Sequence, residues 1–257
     1  MDLFRLSTPV LALLLVVIVG GAMAGGVAAG RVWPKRAQPN REPVGVIQGA
    51  LLGLVGLLLA FGLSMAVGRY DNRRSLVVDE ANAIGTTYLR AELLDEPQRA
   101  ASLDLIERYT DEAIVLAHQE PGSARFKASS ARMEAMQAQL WTLAADAMKA
   151  DPTGNASRLY VETLNETIDA HSSRVASLNN RVPPSVMWLL IIGSAVALAA
   201  LSLYLSLLGR GLTTSLVATA VLLVTLFVSF DLDRPVRGFI TVPTTALDQA
   251  RAAMTAD

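Results

Sequence analysis

Residues 69–90 read RYDNRRSLVVDEANAIGTTYLR and begin where a long uncharged stretch ends. They contain no proline, and Gly85 is their first glycine. Nothing in them stops a helix, so a spanning segment is expected to run on into a helix crowded with arginine and acid. Val77, Ala81, Ile84 and Tyr88 recur at helical spacing and give that helix a face to bury, while Asp79, Asn82 and Arg90 fall on more polar faces. Whether this rod leads a pore into a vestibule or anchors a helical domain decides what the protein does.

Outward from this stretch, the composition is that of a membrane protein. Of 257 residues, 52% are apolar and 18% charged. A net charge of −1 argues against a nucleic-acid partner. With no cysteine, disulfides, thiolate metal sites and thiol nucleophiles are excluded. Alanine richness and arginine in place of lysine point to a bacterial protein, and hence to its inner membrane.

Four charge-free runs, residues 9–30, 44–68, 185–208 and 211–230, are long enough to cross a hydrocarbon core of ~30 Å. The first resembles a signal peptide at its start, but small and apolar residues continue to Gly30 and a basic flank follows, so it is read as a retained span. The fold class is therefore an all-α membrane protein of four transmembrane helices, with a helical soluble insert between the second and third. Residues 1–68 hold spans one and two, 69–184 the insert, 185–230 spans three and four, and 231–257 a membrane-proximal tail. Residues 31–43 form a basic loop and 209–211 a tight hairpin. Arginine near the span ends is more numerous on the insert side, which places insert and termini in the cytoplasm, although the 31–41 loop pulls the other way. Within the insert, helices are expected after Pro97, from Ala124 to Lys149 and from the Asp151–Gly154 turn to Pro183. A last amphipathic helix is expected near Pro243, with Thr244 or Thr245 as its cap.

The second span carries two adjacent faces. Gly45, Gly49, Gly53, Gly56, Ala60, Ser64 and Gly68 form a small-residue ridge, the usual mark of close helix packing. Beside it, Leu57, Phe61 and Met65 repeat every fourth residue. By themselves these three read as packed or lipid-facing; repeated around an axis, they would make a constriction that gates by dewetting. Gln48 is the lone amide in the span.

FGLSMAVGRYDNRR (61–74), VVDEANAIGTTYLR (77–90) and DLDRPVRGFI (231–240) resemble the bacterial bestrophin-like family, and more distantly the bestrophin channels. The resemblance covers most of the chain, about residues 44–254. It implies a pentameric channel whose second span lines the pore, with inorganic ions and the lipid bilayer as partners. Matching Arg73 to the family's arginine puts the three-residue neck at Leu57, Phe61 and Met65. Matching Tyr70-Asp71 instead puts it at Gly56, Ala60 and Ser64. Arg69, Arg73 and Arg74 then sit at the pore mouth and favour anions. Asp71, Glu80, Asn82, Asp231, Asp233 and Arg234 are the remaining polar positions in the matched motifs. Two departures stand out: the calcium-binding acidic cluster is reduced to Asp231 and Asp233, and the asparagine-rich stretch beyond the neck is missing.

Other constellations read more plainly. Asp231, Asp233 and Arg234 are expected to end the fourth span as interfacial charges, with Pro235 and Gly238 as turn residues. Glu80 is expected to pack or to form an ion pair. His118 and His171 lie on different helices without metal-ligand spacing, so no metal and no cofactor is expected. With no phosphate loop, nucleophile elbow or dinucleotide fingerprint, an enzyme is not expected. The alternative to a channel is a non-conducting signalling or scaffold protein, with Gly49, Gly53 and Gly56 as a dimer seam.

Overall fold

The computed structural model describes residues 7–32, 41–209 and 212–255. The 33–40 part of the basic loop and Arg210-Gly211 of the hairpin lie outside them. The chain falls into two compact units.

Unit 1 comprises residues up to Arg69 together with Arg181–Ile240. Its first span carries Pro9 in the first helical turn, where a missing N–H costs nothing. It runs as α1 (Thr8–Leu15), a π turn (Val16–Gly20) and α2 (Gly21–Val32). The second is the N-terminal part of α3 (Arg41–Ala91), a single helix of 51 residues that stays unbroken through the arginine-rich stretch. The third and fourth are α7 (Pro184–Leu207) and α8 (Leu212–Leu232). All four are long and apolar enough to cross a membrane. Leu11, Leu15 and Val19, four residues apart, are fully buried against Leu198, Leu226 and Phe230 among others.

Within the chain, small residues pack helices closely at Gly26 and Gly30 of the first span, while of the ridge glycines in the second span Gly45 alone meets a neighbour. A Cβ added to Gly26 would lie 2.3 Å from the Ala199 carbonyl oxygen, and one added to Gly30 would lie 2.5 Å from Ser206 Cβ. The first and third spans therefore meet backbone to backbone, and Ser206 Oγ donates to the Val27 carbonyl (3.2 Å).

Unit 2 comprises Tyr70–Asn180 and the chain from Thr241 onward. It contains the second half of α3, α4 (Gln98–Ala117), α5 (Ala124–Ala150), α6 (Asn155–Asn179) and α9 (Thr245–Ala253). The Ser123 side chain caps α5 by accepting from Phe126 N (3.1 Å), and Phe126, Met133, Met136, Leu140 and Ala144 then bury one stripe. The tail thus divides between the units. Its helix α9 buries Leu247, and Arg251 pairs with Asp111 (2.8 Å) and Glu107 (3.2 Å) of α4. Thr244 is the N-cap residue of α9, yet its hydroxyl donates to Asp248 (3.0 Å) instead of accepting from the helix backbone.

Candidate functional site

In unit 1, α3 turns Val55, Leu59 and Ala66 inward and leaves its other side uncovered. Leu57, Phe61 and Met65 are 56%, 60% and 38% exposed. A Cβ at Gly49, Gly53, Gly56 or Gly68 would meet nothing within 4 Å, and Ala60 and Ser64 are exposed too. Ridge and ladder therefore share one outward surface. Gly45 differs, because Tyr204 of α7 lies against it, and Gln48 is half-buried.

Beyond the span the expected mouth residues separate. Arg69 is half-buried, and Asp71, Arg74 and Asn82 are exposed. Arg73, expected at the pore mouth with Arg69 and Arg74, is buried, with 2% exposure. Its guanidinium donates to the carbonyls of Asn180 (2.9 Å) and Ser177 (3.4 Å). Both carbonyls lie at the C-terminal end of α6, where the helix dipole favours a cation.

Arg73 is the first rung of a polar seam between α3 and α6. Seven residues on, Glu80 is completely buried; it is ion-paired with Arg174, and its Oε1 lies 2.8 Å from His171 Nδ1. After another seven, the hydroxyls of Thr87 and Thr167 meet at 2.8 Å. Arg90 closes the seam by donating to the Leu159 carbonyl (2.9 Å). Numbers rise along α3 as they fall along α6, so the helices run antiparallel. Burial alone would raise the Glu80 carboxyl, but the charge of Arg174 and the contacts from His171 outweigh it and hold the group below the ordinary range. The Tyr109 and His171 rings stand edge to face with their centres 6.0 Å apart, and the Tyr109 hydroxyl accepts from Gln137 Nε2 (3.0 Å). Burial first, and Glu80's charge second, push the Tyr109 phenol far up.

His171 and Arg174 were not legible as site residues. A signal was present: Arg73, Glu80 and Thr87 lie on the stripe of α3 that buries Val77, Ala81 and Ile84. Polar residues in an apolar stripe need partners opposite. His118 is exposed, its Nδ1 2.9 Å from its own helix's Ile114 carbonyl. Among the described residues no three His, Asp or Glu side chains gather as a metal site.

The acids closing the fourth span, in unit 1, act on the backbone. Asp231 Oδ2 accepts from the N–H of Phe239 and of Ile240, each at 2.8 Å. Asp233 Oδ2 accepts from Val182 N (3.0 Å), and Arg234 Nη1 donates to Thr8 Oγ1 (3.4 Å). All three side chains are buried. Gly238, at φ +122°, allows the turn to fold back under Asp231.

Four apolar spanning helices, a helical unit inserted between the second and third, and a spanning helix with an uncovered face define a multi-pass helical membrane protein. The chain belongs to the Bestrophin-like family, whose domain matches residues 16–247. Solved structures of a bacterial bestrophin homologue from Klebsiella pneumoniae share the fold. One, at 14% identity, superposes with a TM-score of 0.69 over 93% of this chain and 99% of that one. A second, also at 14% identity, gives 0.70 over 95% and 99%. No curated protein matches the chain.

Proposed function

We propose that the chain is one subunit of a homo-oligomeric ion channel, a ring of five, with α3 lining the pore. The observation that carries this reading is the uncovered side of α3, where Leu57, Phe61 and Met65 project beside open glycines. Family membership supports a bestrophin-type channel; five subunits and the position of the neck come from the resemblance. Around the axis, the three side chains form a hydrophobic constriction that wets and dewets. Arg69 and Arg74 bias the mouth toward anions, and Asp71 and Asn82 line the water-filled vestibule beyond it. The insert faces the cytoplasm of a bacterial cell.

A specific observation favours a second reading. Open space over Gly49, Gly53 and Gly56 also suits a partner helix in a non-conducting dimer. Two measurements decide. Purified protein in planar bilayers should pass current that rises in Phe61→Ala, and silence from both forms overturns the channel. The mass of the detergent-extracted assembly should be that of five chains, whereas two chains would establish the scaffold.

A further inference from the structure

On the surface of unit 1, Ala12, Leu15 and Val16 of the first span and Leu223, Val224 and Phe227 of α8 line a groove of about 200 Å3. For comparison, a dry apolar cavity of about 150 Å3 accepts benzene. Leu15 is its buried floor, and the exposed Val16 and Val224 are its rims. Val16 also opens the π turn, a departure from α geometry of the sort that gathers at functional sites.

Neighbouring contacts place the groove in depth. Thr8, four residues before Ala12, accepts from Arg234, which lies seven residues after Phe227. At 1.5 Å per residue the groove begins about 6–10 Å beneath that contact and runs toward the middle of the spans. Above it, the charge is sorted by sign. Asp231 and Asp233 are buried, and they accept from the amides of Phe239, Ile240 and Val182. Arg234 is buried as well. Among the described residues at this end of unit 1, the charges that keep contact with solvent are all positive: Arg237 is exposed, and Arg69 and Arg181 are half-buried. The strongly exposed Phe239, two residues after Arg237, sets its ring 6.0 Å from that of Phe227. This contact ties the basic turn to the wall of the groove.

An apolar slot open to the side, with an arginine rim one or two helical turns above it, matches an anionic amphiphile within a leaflet. We propose that the groove holds an acyl chain of an anionic phospholipid, with its phosphate at Arg237. The inference needs only that these helices span a bilayer and is independent of conduction.

The test uses the full chain in nanodiscs of equal parts phosphatidylglycerol and phosphatidylethanolamine, then native mass spectrometry after detergent release. Wild-type protein should retain phosphatidylglycerol in preference. Ala12→Phe and Val224→Trp, which fill the slot from either wall, should lose the bound lipid. Val217→Trp, on an exposed face of α8 outside the groove, should keep it. Arg237→Gln should abolish the preference between the two lipids. Because Val224 is already exposed, its replacement leaves the fold intact and keeps the test meaningful. Equal retention of both lipids by the wild type overturns the proposal, as does undiminished lipid in the filled variants. Dissociation of the assembly in those variants with lipid unchanged would give the groove to a second copy of the chain and also overturn it.

Discussion

Glu80 of α3 and Arg174 of α6 form an ion pair whose side chains are 0% and 3% exposed. His171 shares the same carboxylate. Charges this deep are stable only together, because each has lost its water and the others replace it.

Removing one partner should therefore cost far more than removing both. Glu80→Ala leaves Arg174 buried without its counter-charge and is expected to destabilise the protein by ~3–5 kcal/mol. The double variant Glu80→Leu with Arg174→Met should regain most of the loss. Denaturant unfolding in detergent measures both, and a loss in the single variant smaller than in the double one would disprove the argument.

The pair should also make stability depend on pH in the acid range. The folded Glu80 carboxyl titrates below its ordinary value. A group depressed in this way contributes stability above its unfolded pKa of ~4.3, and the contribution fades as pH falls through the folded value. Thermal unfolding from about pH 7 to about pH 3 should show a loss on the acid side of that unfolded value that is shallower in Glu80→Gln. Parallel curves for the two proteins would exclude the assignment.

Glycines in the two spanning faces should behave oppositely. Gly26→Ala forces a Cβ against the Ala199 carbonyl and must part α2 from α7, at about 1–3 kcal/mol. Gly53→Ala meets open space and should leave the subunit as stable or slightly more so, through helix propensity of up to about 1 kcal/mol. Gly53→Leu should weaken the assembly while its subunits stay folded. Unfolding and assembly mass, measured on the same samples, separate these effects.

Gly238→Ala should disturb the end of α8. Its φ of +122° suits glycine, and an added Cβ would lie 2.1 Å from Asp231 Oδ1. The expected cost is about 1–3 kcal/mol, read as a lower Tm. An unchanged Tm would mean that Asp231 does not hold the turn.

Four charge-free runs and a proline-free junction determined, from sequence alone, that the chain is helical, enters a membrane and leaves it along one rod. Those properties are local: hydrocarbon excludes charge, and a helix meets its own backbone needs without help from elsewhere in the chain. Tertiary structure decided which small residues pack, since Gly26 and Gly53 look alike until a neighbour covers one of them. It also decided that Arg73 is buried against the end of α6 and that Glu80 meets Arg174 and His171, more than ninety positions away for both partners. Periodicity marks a stripe as buried, but the partner of a buried charge is set by how two helices register against each other, and that arises only on packing.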